Sequence, residues 1–401
     1  MISVGIDVSK EKSTVCIIKP YGEILCNPFE VTHDEKTVES FMDFLEKLDG
    51  ETRVVMEATG IYHLPLLTSL HDKGFFVSVI NPLAMKKYAR DYSIRGAKTD
   101  KLDSIMIANY GIDKWHKLKP YQEDEQTYAE LKLLGRGYRH YMGIHIKALQ
   151  ELTHMLDYTM PGIKGMLQGW DKRTGKDKLS DFVERFWHFD LITSMTQEEF
   201  IEQYFSWAKE KGYRCDKIKA ITIYQTASNG IPTLPSSSTT TQMLVQEAIS
   251  VLRVANNSLM NILTRMQSLA KTLPEYSTVR SMGGVGDVLA PRLIAEIGDV
   301  RKLHSARALI ASAGIDPPPH DSGQFVGSKR RISKRGSSNL RKVGYEVMAV
   351  LKCHRPPKDN AVYRYILKKE SEGKNKRVAK IAGLNKFLRI YYARVMEVYQ
   401  G

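Results

Sequence analysis

Four acidic side chains stand where a metal-dependent reaction on a phosphate group could be carried out. They are Asp7, Glu57, Asp100 and Asp103. Asp7 ends the first segment that has the pattern of a β-strand, and Glu57 directly follows a short predicted buried strand, residues 53–56. Asp100 and Asp103 are three residues apart at the start of a predicted helix, so both lie on one helical face.

Carboxylates that converge on one point repel one another unless a divalent cation lies between them. A donor set made only of oxygen atoms selects Mg²⁺ or Mn²⁺, which can bridge phosphate oxygens and activate an attacking hydroxyl. Each acid alone also suits a structural role, such as a turn cap or a favourable charge at a helix N-terminus. The combination favours a metal site, and Lys98 just upstream of Asp100 suits a phosphate contact.

The hydroxyl of Ser322 is the second candidate reactive group. It lies between the rigid proline run 317–319 and Gly323, and a cationic cluster follows it: Lys329, Arg330, Arg331, Lys334 and Arg335. A hydroxyl beside cations can attack a phosphodiester, because the cations stabilise the charge that gathers on the phosphoryl oxygens. The chemistry alone does not single out Ser322, since Ser328, Ser333, Ser337 and Ser338 are neighbours and loop serines commonly form turns.

A glycine-rich segment, residues 281–287, resembles the turn of a helix-hairpin-helix. Gly284 and Gly286 would let backbone N–H groups at a helix N-terminus approach a phosphate. The alternative interpretation is a tight turn between two packed helices.

The elements that must position these groups follow one another in a characteristic order. Three strands come first, then a helix capped by Asp34, and then strand, helix, strand and helix. The predicted strands are residues 1–6, 13–18, 24–31, 53–56 and 76–80. This order predicts a ribonuclease-H-like α/β domain over residues 1–120.

The rest of the chain is predicted to be helical. Residues 127–158 and 243–273 form two long amphipathic helices, which could pair as a coiled coil within one chain or between chains, or join an ordinary bundle. We therefore predict a helical or coiled-coil region over residues 121–275, with an insertion at 165–240 that ends in a linker, residues 232–242. A mainly helical C-terminal domain is predicted over residues 276–401.

The positive charge of the chain is concentrated at one end. The net charge is +14, and residues 322–401 hold 20 Lys and Arg against 5 Asp and Glu, whereas the preceding 321 residues hold 39 against 40. Apolar and aromatic residues in the same stretch indicate a folded segment rather than a basic tail. A polyanion is the expected partner, and nucleic acid is the favoured one.

The composition argues against membrane and secretory classes. No run of about 18 apolar residues is present, and the first residues lack the pattern of a secretion signal. Four scattered cysteines lack the spacing of a metal site or a disulfide framework. We expect a protein of a reducing cytoplasm with no membrane partner.

Motifs in both halves of the chain resemble one known family. The first set is Gly5-Ile6-Asp7-Val8-Ser9-Lys10, Met56-Glu57-Ala58-Thr59-Gly60, Val79-Ile80-Asn81-Pro82 and Lys98-Thr99-Asp100-Lys101-Leu102-Asp103. The second set is Met282-Gly283-Gly284-Val285-Gly286, Ala313-Gly314-Ile315-Asp316-Pro317, and Ser322-Gly323 leading into Arg331-Ile332-Ser333-Lys334-Arg335-Gly336. Together they resemble the Asp-Glu-Asp-Asp transposases of the insertion-sequence-one-ten family, which includes Piv-like invertases and bridge-RNA-guided recombinases.

The resemblance implies a RuvC-like domain whose Asp7, Glu57, Asp100 and Asp103 bind Mg²⁺, and a C-terminal transposase domain in which Ser322 forms a transient phosphoserine link to DNA. It also implies composite sites across a homodimer or homotetramer, double-stranded donor and target DNA as substrates, and a structured non-coding guide RNA as a partner. The loop at residues 322–327 departs from relatives, which often carry further serines or an arginine there. The 165–240 region is longer than in compact members.

Other function classes remain open at this point. A RuvC-type junction nuclease would hydrolyse DNA with metal-activated water and no covalent link. A DNA invertase would keep the chemistry but change the outcome, and a nucleic-acid-binding module would have no catalysis. An actin-like ATPase shares the opening segment but needs a second phosphate hairpin, which the sequence lacks.

Overall fold

The computed structural model describes residues 1–58, 60–92, 99–123, 125–317, 321–322, 325–326, 331–354 and 360–401. The chain divides into two compact units, Met1–Glu123 and Asp124–Gly401. The predicted domain boundaries after residues 120 and 275 stay predictions.

The first unit is built on a five-stranded mixed sheet. Its strands are β1 (Ile2–Val8), β2 (Lys12–Ile18), β3 (Ile24–Thr32), β4 (Thr52–Glu57) and β5 (Phe76–Ile80). The order across the sheet is β3-β2-β1-β4-β5, with β1 antiparallel to β2 and parallel to β4. This topology is ribonuclease-H-like, as the order of elements predicts, and the fold class is confirmed.

Four helices surround this sheet. They are α1 (Glu35–Glu46), α2 (Leu64–Asp72), α3 (Pro82–Tyr92) and α4 (Asp100–Asp113). The carboxylate of Asp34 accepts a hydrogen bond from Thr37 N at 2.9 Å, which confirms the predicted cap of α1. The central strands are buried because helices cover them, so apolar side chains such as Val4 and Val55 face cores on both sides of the sheet.

Where the structure describes it, the second unit consists of helices, their connections and one short hairpin. Its helices are α5 (Gln126–Thr159), α6 (Lys178–Arg185), α7 (Phe189–Thr193), α8 (Gln197–Lys211), α9 (Lys217–Asn229), α10 (Thr239–Ala270), α11 (Tyr276–Ser281), α12 (Gly286–Ile297), α13 (Ala306–Ser312), α14 (Ser338–His354), α15 (Ala361–Ser371) and α16 (Lys376–Gln400). The hairpin is formed by β6 (Asp321–Ser322) and β7 (Phe325–Val326).

The two long helices, α5 and α10, pack against each other within the chain. His145 on α5 is hydrogen-bonded to Asn256 on α10 at 2.6 Å, and Glu130 pairs with Arg265 at 3.3 Å. The earlier residue of α5, Glu130, meets the later residue of α10, Arg265. The two helices are therefore antiparallel. The predicted pairing within one chain is therefore present.

Between α5 and α10, the insertion folds around its own aromatic core, which includes Phe182, Phe200 and Tyr204. The predicted linker at residues 232–242 is wrong in its second half, because α10 begins at Thr239 and Ser238 caps it. Thr233 N donates to a carbonyl at the end of α5, so the first half of that segment is also anchored. The end of the Ser/Thr-rich segment is therefore a helix cap and the first turn of α10, not a flexible linker.

The remaining helices, α11 to α16, share one core with α5 and α10. Leu293, Leu340 and Phe387 are buried together in it. Much of the excess positive charge of the C-terminal region, apart from the cations at residues 329–335, therefore belongs to packed helices. Within the described part of the chain, none of the helices has the length and apolar character needed to cross a bilayer.

Candidate functional site

The carboxylates of Asp7 and Glu57 lie on adjacent strands. β1 and β4 are parallel, and Ile6 pairs with Met56 at the end of their register. Asp7 and Glu57 therefore occupy the next position on neighbouring strands, about 5 Å apart in the backbone. Both are half-buried. The sheet brings together two acids that are separated by 49 intervening residues in the sequence.

Helix α4 crosses β1 at very close range. A Cβ atom on Gly5 would overlap the backbone of Ser104 and Ala108, and one on Gly111 would overlap the side chain of Ser3. Because Gly111 lies opposite Ser3 and Ser104 lies opposite Gly5, the helix runs antiparallel to the strand. Its first turn, which carries Asp100 and Asp103, therefore points toward the Asp7 end of β1.

We predict that Gly5→Ala lowers the free energy of unfolding by about 3 kcal/mol, because backbone atoms of α4 cannot yield to an added methyl group as a flexible side chain would. Urea denaturation measures this. Gly143→Ala in α5 is the matched control, since its Cβ meets open space and removal of a helical glycine should stabilise by about 0.5–1 kcal/mol. Equal stability of the Gly5 variant and the unmodified chain would contradict this account of how α4 is placed.

The structure brings the four acids to one end of the sheet without assembling a coordination sphere. Asp100 is exposed and Asp103 half-buried in the first turn of α4, which Thr99 caps through a 3.2 Å hydrogen bond to Leu102 N. Among the described residues, no group of three or more His, Cys, Asp or Glu side chains is close enough to hold a metal ion. The donor chemistry fits Mg²⁺ or Mn²⁺, and their binding requires the side chains to converge further.

Lys12 lies beside this set and was not predicted from the sequence. Its ammonium group donates to Glu30 at 2.6 Å, and that bond and charge raise the pKa of Lys12, with a smaller contribution from Asp100. The last contribution indicates that Asp100 is near. The signal in the sequence was the short turn that joins the end of β1 to the start of β2, which returns Lys12 toward Asp7.

Ser322 lies in the short antiparallel hairpin formed by β6 and β7, where it pairs with Phe325. The sequence predicted an irregular loop from Ser322 onward, and the start of that segment forms this hairpin instead. Lys98, Lys329 and Arg330 lie outside the described residues.

The segment that follows the hairpin is anchored through its backbone. Lys334 N donates to Gly314 O at 2.9 Å, and Lys334 itself has a left-handed φ of 54°. Ser333 N donates to Asp316 O at 3.0 Å. The side chains of Arg331, Lys334 and Arg335 are exposed. Three of the predicted phosphate-binding cations are thus presented to solvent from a fixed backbone.

Two of the neighbouring serines have structural roles. The hydroxyl of Ser333 donates to Asp316 Oδ1 at 2.7 Å. The hydroxyl of Ser337 accepts from Leu340 N at 3.1 Å, at the start of α14, and lies 3.3 Å from Glu296 Oε2. Both hydroxyls are therefore committed to holding the segment in place.

The glycine-rich segment joins α11 to α12 as a tight turn. Gly284 has a φ of 86°, and a Cβ atom there would overlap Val347 O and Leu351 of α14. The lack of a side chain at Gly284 is therefore explained by packing against α14. This supports the interpretation of the segment as a tight turn between packed helices at this position. Gly286, the first residue of α12, has a φ of 65° and open space around it. A phosphate contact at Gly286 stays a prediction.

Comparisons with known proteins cover most of the chain. Residues 4–161 match a family model described as "Transposase", and residues 276–364 match one described as "Transposase IS116/IS110/IS902 family". The "Pilin gene-inverting protein" of Moraxella lacunata is 24% identical, over 98% of this chain and 95% of that protein. The "Insertion element IS116 uncharacterized 44.8 kDa protein" of Streptomyces clavuligerus is 22% identical, over 93% of this chain and 89% of that protein. A solved structure, RuvC of Thermus thermophilus, aligns with 30% of this chain and 100% of its own at 14% identity, with a TM-score of 0.24.

Proposed function

We propose that this chain, which belongs to the IS116/IS110/IS902 family of transposases, cleaves and rejoins DNA strands with the hydroxyl of Ser322 and a metal-binding set of four carboxylates. The observation that carries the proposal is the arrangement of β1, β4 and α4, which takes Asp7, Glu57 and the first turn of α4 to one end of the sheet. Acids at one strand end are poorly explained as separate caps.

Asp7, Glu57, Asp100 and Asp103 would hold Mg²⁺ or Mn²⁺. When bound, such an ion neutralises charge on phosphate oxygens and makes a nearby hydroxyl a better nucleophile. The half-buried positions of Asp7 and Glu57 limit their hydration, which favours sharing of a cation over separate solvation. Lys12, which pairs with Glu30 at 2.6 Å, would place a positive charge beside this set.

Ser322 would act as the nucleophile. Its Oγ forms a bond to phosphorus as the strand's P–O bond breaks, and the leaving oxygen takes up a proton. Attack by the hydroxyl of another strand reverses these steps and joins the new strands. The structure supports this choice, because Ser333 and Ser337 use their hydroxyls to hold the loop.

The exposed cations after the hairpin would bind the reacting phosphate. Arg331, Lys334 and Arg335 lie on a backbone held by residues 312–316. Cations that are fixed before the reaction need little reorganisation when charge develops on the phosphoryl oxygens, so they stabilise the transition state more than mobile ones.

The direct test is a search for a covalent protein–DNA adduct. The full chain is incubated with Mg²⁺ and a labelled duplex carrying an end of the parent element, then quenched in detergent. A labelled band at the mass of the protein plus one strand is expected, and peptide mapping should place the label on Ser322. Cleaved DNA without any adduct would favour the junction nuclease.

A structured guide RNA and assembly into a dimer or tetramer are also part of the proposal, as the resemblance implies. We expect that RNA which co-purifies with the protein from cells carrying the whole element is enriched in one non-coding transcript from the element's ends. Sequencing the bound RNA measures this. The control is the same protein purified from cells whose element lacks the locus of that transcript. A random sample of cellular RNA would argue for recognition of DNA by protein alone.

A second candidate, site-specific DNA inversion, is favoured by one observation. A relative whose name is "Pilin gene-inverting protein" matches 98% of this chain. A plasmid carrying two element ends in inverted orientation separates the outcomes, since an invertase flips the segment between them and a transposase moves it to a new site.

A further inference from the structure

The insertion carries a group of basic side chains that the proposed reaction does not use. Residues 171–178 and 209–219 together hold nine Lys and Arg against four Asp and Glu. Residues 179–208, which lie between them in sequence, hold one Arg against six Asp and Glu. The charge of the insertion is therefore unevenly distributed along its sequence. We call residues 171–178 and 209–219 its basic edge.

The two segments of the basic edge are held together by their own lysines. Lys176 Nζ donates to Lys211 O at 2.9 Å, and Lys178 Nζ donates to Arg214 O at 2.9 Å. Both ammonium groups also lie within 6 Å of the ring centre of Tyr213, at 5.3 and 5.6 Å. The positive charge is thus concentrated on a rigid surface.

Three of the four acids of the basic edge, all except Glu210, accept hydrogen bonds from nearby backbone amides. Asp171, Asp177 and Asp216 each accept a hydrogen bond from a backbone amide two or three residues later, at 2.8, 3.2 and 3.0 Å. Their carboxylates serve as local caps. Several cations are exposed and form no ion pair with any residue that the structure describes: Arg173, Lys209, Arg214 and Lys217.

The basic edge continues toward the start of α14. Burial lowers the pKa of Lys172, the charges of Arg292 and Lys342 add to this effect, and Glu346 opposes it. Lys172 therefore lies near the first turns of α14, a helix that begins three residues after Arg335. One end of the basic edge, at Lys172, therefore lies near the helix that follows the exposed cations of the Ser322 hairpin.

We propose that the basic edge binds the phosphate backbone of duplex DNA that flanks the reacting site. Long, exposed and unpaired cations suit phosphate contacts rather than the reading of bases. Single-stranded nucleic acid would need exposed aromatic rings for stacking. Tyr213 is the only aromatic residue of the two segments, and two ammonium groups cover it. The place of this DNA beside the reacting site rests on the proposed function, whereas the binding of duplex DNA does not.

The test is a binding measurement on the full chain with Arg173→Gln, Arg214→Gln and Lys217→Gln combined. Fluorescence anisotropy with a duplex of about four helical turns is recorded over a series of salt concentrations in EDTA, so that no cleavage contributes. Each lost phosphate contact removes about one from the slope of log affinity against log salt, so a decrease of about 2–3 and at least about tenfold weaker binding are expected. Lys217→Gln alone should lower the slope by about one.

The matched control removes three exposed lysines from the first unit, Lys36, Lys47 and Lys117, and is expected to retain the original slope. An equal loss in both triple variants would show a general effect of net charge and overturn the proposal. A loss seen only with a structured RNA probe would overturn the assignment to DNA. Neither result bears on Ser322, because the assay measures no chemistry.

Discussion

Ser322→Ala is expected to reduce strand exchange by about a thousandfold or more and to abolish the covalent adduct, while leaving affinity for DNA within about twofold. The substitution removes the atom that would bond to phosphorus. It removes no group that binds the phosphate backbone of DNA. The neighbouring cations stay in place, because their segment is held by backbone hydrogen bonds to residues 312–316 and by the hydroxyl of Ser333. Strand exchange on a supercoiled substrate and anisotropy on the same duplex measure the two effects.

Ser338→Ala is the matched control, since Ser338 is exposed at the first position of α14. It should keep both activities. If the Ser322 variant exchanged strands at the original rate, the nucleophile would be another group. Persistent cleavage without joining would point to water activated by a metal, and hence to a junction nuclease.

Asp7→Asn is expected to reduce cleavage by a similar factor of about a thousand, with DNA binding unchanged or tighter. The amide keeps the size of the side chain at the end of β1 but removes one negative charge from the set. The smaller negative charge of the set lowers its affinity for a divalent cation. It also reduces the repulsion between the set and the phosphates of DNA. Cleavage rates over a Mg²⁺ titration and calorimetric titration with Mn²⁺ measure the loss separately from binding of DNA.

Asp43→Asn provides the control, because Asp43 is an exposed carboxylate on α1 in the same unit. Glu57→Gln should reproduce the effect of the Asp7 variant, since the two acids occupy matching positions on β4 and β1. Unchanged recombination in cells for both variants would favour a nucleic-acid-binding module without catalysis. It would also contradict the proposal that the four carboxylates bind a catalytic metal ion.

The sequence alone determined the elements of the first unit, their order and the two long helices of the second unit. Residues 127–158 predict α5 to within one residue at each end, and Asp34 predicts the start of α1. These features are local, because helical periodicity, caps and short apolar runs are read over a few neighbouring residues. The order of strands then limited the first unit to one topology.

Only the tertiary structure decided which residues meet. The spacing of Gly5 and Gly111 contains no sign that α4 packs against β1 there. The tight turn at Gly284 is explained by Val347 and Leu351, which lie more than sixty residues later in the sequence. The basic edge likewise joins segments more than thirty residues apart through Lys176 and Lys178. Such contacts depend on the packing of whole elements, so their partners are set by where distant helices and strands come together and not by the residues on either side.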